Sequence, residues 1–123
     1  MKKIAVLFLC LVVHQSFGLK HFVLLSAPGS GKGTFSQYMV EKYGYIQICP
    51  GDMYRDEIKQ QTELGKRIQA IVDRGDYVDE ETTCALVGEK LSKALDNNNF
   101  FIIDGFPRNE FAFQFLYNFL QQR

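Results

Sequence analysis

Apolar residues recur along this chain at two alternating periods. The segment 21–25, His21-Phe22-Val23-Leu24-Leu25, is a short apolar run leading into a glycine-rich stretch, the pattern of a buried parallel strand. Residues 32–43 follow with Phe35, Tyr38, Met39 and Tyr43 at helical spacing, and Gly44 marks the end of that helix. Residues 45–48 read as a second short strand, and Pro50-Gly51 is expected to break the chain. Two short helices are expected over 52–61 and 62–74, the second with Leu64, Ile68 and Ile71 or Val72 on one face. A longer helix over 80–95 carries Leu86, Val87, Leu91 and Leu95, and the fully apolar run 100–103 is a third strand ending at Asp104. No internal repeat is visible, and Asn97-Asn98-Asn99 is at most a short polar turn.

The tail fits two periods. Phe111, Phe113, Phe115, Tyr117 and Phe119 alternate as in a strand, while Phe111, Phe115, Leu116, Phe119 and Leu120 make one helical face. A right-handed crossover after Asp104 favours the helix. Left uncovered, the segment is an aggregation hazard. Strands alternating with helices indicate an α/β fold with a parallel sheet.

The first eighteen residues differ from the rest. Met1-Lys2-Lys3 is cationic, residues 4–13 are unbroken apolar, and Ser16 and Gly18 are small residues two apart, as in a secretory signal peptide. The run falls short of the roughly 20 residues that a membrane span needs. On this reading residues 1–18 lie outside the fold, the domain is 19–123, and the protein is periplasmic or secreted. The alternative is an N-terminal strand, with a cytoplasmic protein.

Composition narrows the function classes. Apolar residues make up 46% and charged residues 23%, which suits a globular domain rather than a disordered one. Formal net charge is +0, with acids and bases interleaved, so broad electrostatic attraction to nucleic acid is not expected. Of the three cysteines, Cys10 would leave with the signal; Cys49 and Cys84 lack zinc-site spacing and read as buried free thiols.

The chemistry concentrates after the first strand. In Ser26-Ala27-Pro28-Gly29-Ser30-Gly31-Lys32-Gly33-Thr34, Gly29, Gly31 and Gly33 let successive backbone N–H groups turn toward phosphate oxygens. Lys32 supplies a charge for the terminal phosphates, Thr34 a hydroxyl, and the following helix a positive dipole end. Ser26 stands where the strict pattern has glycine. Asp104 ends the third strand, on the side of the sheet where ligands bind, and can serve Mg²⁺ through water. Arg108, on the Pro-containing turn Gly105-Phe106-Pro107-Arg108, is suited to a bidentate grip on phosphate, and Arg55 follows Gly51-Asp52 on a helix. Taken singly, either arginine reads as a solvated surface residue and Asp104 as a helix cap.

Together, the segments 27–34, Gly51-Asp52-Met53-Tyr54-Arg55 and Asp104-Gly105-Phe106-Pro107-Arg108 resemble the adenylate kinase and UMP/CMP kinase family, over about residues 20–120. The resemblance implies the three-layer P-loop NTPase fold, cut after its third strand and the helix that follows. It implies that Gly29, Ser30, Gly31, Lys32, Gly33 and Thr34 hold ATP, and that Thr34 and Asp104 serve Mg²⁺. Arg55 and Arg108 would grip the acceptor monophosphate and, with Lys32, carry catalysis. Pro50, Asp76, Tyr77, Val78, Gly105, Phe106, Pro107 and Gln114 would complete the acceptor site, within which residues 49–78 form a small mobile subdomain.

Three departures bear on the acceptor and on activity. Cys49-Pro50 stands where the family has Ser-Thr, and Ala112 where adenylate kinases have glutamine. Arg108-Asn109 followed by Gln114 is similar to the pyrimidine-nucleotide members, so AMP and UMP or CMP both remain acceptors to test. The chain ends before the arginine-bearing lid and the last two strands. That leaves two expectations of different class: a nucleoside monophosphate kinase, or an inactive nucleotide-binding fragment or interaction module. The edge of strand 21–25 would be open, inviting self-association.

Overall fold

A computed structural model describes residues 21–25 and 29–123 fully, and residues 9–13 by their backbone. The described elements are β1 (Leu9–Val13), β2 (His21–Leu25), α1 (Lys32–Tyr43), β3 (Ile46–Ile48), α2 (Pro50–Lys59), α3 (Glu63–Asp73), α4 (Glu80–Asp96), β4 (Phe101–Asp104) and α5 (Glu110–Gln121). They form one sheet in the order β1-β2-β4-β3. β4 lies between β2 and β3 and is parallel to both, with Val23 opposite Ile103 and Ile48 opposite the same residue. This central position explains its unbroken apolar sequence: Phe101, Ile102 and Ile103 are fully buried.

Alternate residues of the strands face opposite layers. Val23, Phe101 and Ile103 pack with Val87 and Leu91 of α4 and Leu116 of α5. Leu24 and Ile102 turn the other way, toward Met39 of α1 and Tyr45. The sheet therefore lies between helical layers, as expected for an α/β P-loop fold.

Three features differ from the sequence reading. α2 begins at Pro50 rather than after Gly51, because proline's fixed φ suits the first helical position and its missing N–H would have no helical partner there. The tail is helical, but Phe111 is about half exposed and Ala112 takes the buried place on the inner face. Thirdly, β1 pairs antiparallel with β2, Leu9 opposite Leu25 and Val13 opposite His21, so the β2 edge is covered rather than open. Ser26, Ala27 and Pro28, and the rest of the segment read as a leader, lie outside the described residues. Among the described residues no helix is long and apolar enough to cross a membrane.

Local chemistry accounts for the helix ends. Gly44 (φ +69°) closes α1, its N–H bonding to Val40 O at 3.0 Å. Thr62 caps α3 by accepting from Gly65 N at 2.8 Å, Asp79 caps α4 through Thr82 N at 2.9 Å, and Asn109 caps α5 through Ala112 N at 2.9 Å. α2 and α3 pack as a hairpin whose closest point is Gly65: a Cβ there would stand 2.0 Å from the carbonyl oxygen of Glu57.

Candidate active site

β2 runs into the glycine-rich turn, and the turn into α1. Gly29 (φ +79°) and Gly31 (φ +90°) take the left-handed backbone that other residues rarely adopt. Gly31 is the cap residue of α1, with no side-chain hydrogen bond to the helix end and no acid in the first turn. That leaves the positive end of the helix dipole without an anion from its own first turn. Gly33 and Thr34 follow at the exposed start of the helix.

Lys32 reaches across to β4 and forms an ion pair and hydrogen bond with Oδ1 of Asp104. The lysine side chain is 23% exposed and the aspartate side chain 7%, so this carboxylate is nearly withdrawn from water and its charge is matched by the lysine. Its other oxygen accepts from Nε2 of Gln47, on β3, at 3.4 Å. Three parallel strands thus deliver one motif each to their carboxyl ends: the turn from β2, Gln47 from β3, Asp104 from β4.

Beyond Asp104 the chain turns through Gly105 (φ +74°), and the Phe106–Pro107 peptide is cis. Gly105 N donates to Leu24 O at 3.2 Å, which ties this turn to β2. Arg108 folds back over it, Nε donating to Gly105 O at 2.8 Å. A Cβ on Gly105 would stand 3.1 Å from a guanidinium nitrogen of Arg108, and the positive φ already disfavours one.

A cavity of about 330 Å³ opens beside this turn, between the start of α2, the segment before α4, and the end of β4. Asp104, Gly105, Phe106 and Arg108 line it on the β4 side, Pro50 and Gly51 at the start of α2, and Tyr77 and Val78 before α4. Asp104 therefore belongs to the cavity wall and to the glycine-rich turn's ion pair at once.

The other expected site residues stand apart. Arg55 is exposed and ion-paired with Asp52 one turn back. Asp76 is exposed and pairs with Arg74 at 3.2 Å. Gln114 faces solvent and bonds to Asn118 along α5 at 3.0 Å, and Pro107 is not part of the cavity wall.

Sequence reasoning missed Tyr54, Glu80 and Thr83, all of which line the cavity, and Gln47. Gln47 carried a signal, being the one polar residue between two strand isoleucines. Glu80 and Thr83 carried little, because residues in the first turns of a helix are ordinarily polar. Tyr54 and Thr83 share a short hydrogen bond, and burial pushes the Tyr54 hydroxyl above its usual pKa. Cys49 is partly exposed in the cavity wall; Cys84 is buried, which raises its thiol pKa.

Comparison with known proteins agrees with this geometry. A family model described as adenylate kinase matches residues 24–123. An adenylate kinase of Photorhabdus laumondii subsp. laumondii is 51% identical over 86 residues, which are 70% of this chain and 40% of that relative's length. The chain thus spans about two fifths of the curated relative it matches.

Proposed function

Because the chain belongs to the adenylate kinase family, we propose that it acts as a nucleoside monophosphate kinase, moving the γ-phosphoryl group of ATP to AMP, with UMP or CMP as the alternative acceptors. The observation that carries this reading is the Lys32–Asp104 pair, which joins a phosphate-binding turn to a nucleotide-sized cavity.

On this reading the backbone N–H groups of 29–34 and the start of α1 hold the ATP phosphates, and Lys32 leaves Asp104 to meet the terminal ones. Arg108, already in the cavity wall, grips the acceptor phosphate. Arg55 would join it after leaving Asp52, an exposed pair that costs little to break. An acceptor phosphate oxygen forms the new bond to the γ-phosphorus while the bond to the β–γ bridging oxygen breaks, and ADP departs with that oxygen. The acceptor is already an anion, so positioning and charge stabilisation suffice. Residues 49–78 serve as the acceptor-binding unit.

The donor set fits a hard divalent cation. Thr34 and Asp104 offer oxygens only, the donor type that a hard divalent cation takes. When bound there, Mg²⁺ would neutralise charge on the phosphates.

Turnover of the full chain with ATP, Mg²⁺ and each monophosphate tests the proposal. Lys32→Ala is expected to lower the rate by on the order of 10²–10³. ATP binding without turnover on any acceptor would instead favour the nucleotide-binding module.

A further inference from the structure

The first residue of β2 and the turn Asn97-Asn98-Asn99 have no part in the proposed function, but they meet in a second cavity of about 300 Å³. His21, Leu95, Asn98, Asn99, Phe100 and Arg123 line it. β2 and β4 run parallel and both begin here, so this cavity lies at the opposite end of the sheet from Asp104.

His21 is 3% exposed, and its tautomer is fixed. Nδ1 accepts from the N–H of Phe101 at 3.1 Å, which places the proton of the neutral ring on Nε2. Burial lowers the His21 pKa and favours that neutral ring. Nε2 is thus a buried donor, and it has no partner among the described residues. Arg123 is the one cation among the described residues of this wall. Asp96 at 2.8 Å, Ser92 at 3.0 Å and the ring of Phe119 at 5.6 Å hold its guanidinium, with further N–H donors left unspent. Asn97 gives its amide to Lys93 O at 2.9 Å. The turn itself closes through backbone, Asn98 N to Leu95 O at 3.0 Å and Asn99 N to Ala94 O at 2.8 Å, so the amides of Asn98 and Asn99 are not needed to hold it. No carboxylate lines the cavity among the described residues. Leu95 and the Phe100 ring, tilted against His21 at 5.4 Å, form its apolar part.

We infer that this cavity is a binding site for a small monocarboxylate with an apolar body, the carboxylate accepting from Nε2 of His21 and from the Arg123 guanidinium, the body lying against Leu95 and Phe100. One cation, already shared with Asp96, matches a single negative charge, whereas a phosphate dianion brings more charge than the wall can match. A wholly apolar ligand leaves the Nε2 donor unsatisfied. The carboxylate ties the start of β2 to the ends of α4 and α5, and so stabilises the folded chain by mass action.

Nuclear magnetic resonance of the full chain, titrated with sodium propionate, tests this. Propionate is expected to shift the His21 Nε2 and Arg123 Nε resonances saturably and to raise the midpoint of thermal unfolding. Propionamide has the same shape without the charge and should bind at least about tenfold more weakly, because charge-assisted hydrogen bonds are the stronger kind. Arg123→Gln should weaken propionate binding about tenfold, with ATP binding and the circular dichroism spectrum unchanged. Asn98→Gly keeps the left-handed backbone at φ +55°, removes one amide, and should weaken propionate about threefold. A His21 Nε2 resonance that ignores propionate means that water satisfies the donor, and overturns the inference. Equal binding of propionamide, or an affinity that survives Arg123→Gln, overturns it as well. Inorganic phosphate shifting the same resonances where propionate does not overturns the carboxylate class.

Discussion

The glycine-rich turn and the cavity proposed to take the acceptor meet at Asp104 but are assembled in different ways. The turn is a run of neighbours, residues 29–34, whose shape is set by left-handed backbone at Gly29 and Gly31. The cavity draws on the start of α2, the segment before α4, the first turn of α4 and the end of β4, and its shape depends on how those elements pack. A local device tolerates change elsewhere in the molecule. A composite one inherits every weakness of the elements that carry it. Substitutions remote from either site should therefore separate the two.

The largest separation is expected from Gly65→Ala. The added methyl group would collide with the Glu57 backbone and push α2, with Pro50, Gly51 and Tyr54, away from α3. A loss of about 3 kcal/mol in unfolding free energy by urea denaturation is expected. ATP binding should outlast monophosphate binding as denaturant rises; simultaneous loss of both would break the contrast. Asp79→Ala removes the α4 cap and should cost about 1 kcal/mol by the same measurement. The Thr82 N–H and hydroxyl hold the Asp79 carboxyl below its ordinary pKa of 3.8. The cap is therefore fully present above that value and lost as pH falls through the folded one.

The smallest effect belongs to His21, at the end of β2 away from the turn. Its Nδ1 accepts from Phe101 N at 3.1 Å, its ring stacks on Phe101 at 4.0 Å, and its Nε2 is buried without a partner among the described residues. Burial lowers its pKa from 6.5, so the unfolded chain takes up the proton first as pH falls. Stability should therefore drop as pH falls below 6.5, until the folded value is passed. His21→Gln should flatten that slope in thermal unfolding scans across the range.

The same contrast explains what the sequence disclosed. Helix and strand existence was readable almost throughout, because β4 is apolar enough to be central and Gly44 ends α1 by a local rule. Lys32, Asp104 and the glycines were readable because the motif fixes their neighbours. The cavity was readable at Pro50, at Tyr77 and Val78, and at Gly105, Phe106 and Arg108, all positions that the family resemblance reaches. Glu80 and Thr83 enter it through the packing of α4, and no local pattern marks a polar residue whose importance comes from what stands opposite. Gln114, also suggested by the sequence, stands apart from the cavity on α5 and bonds to Asn118. The α2 start at Pro50 was missed because proline beside glycine ordinarily signals a break.

The Lys32–Asp104 pair also has a thermodynamic side. A phosphate can recruit Lys32 only in those molecules where the ammonium has parted from the carboxylate. The apparent affinity for phosphate is thus the intrinsic affinity scaled by that fraction. Anything that satisfies the Asp104 oxygens, such as a divalent cation, would enlarge the fraction. Phosphate, in taking the lysine away, equally exposes the carboxylate to a cation. The two ligands then reinforce one another by the same factor in either order of addition, although neither need touch the other.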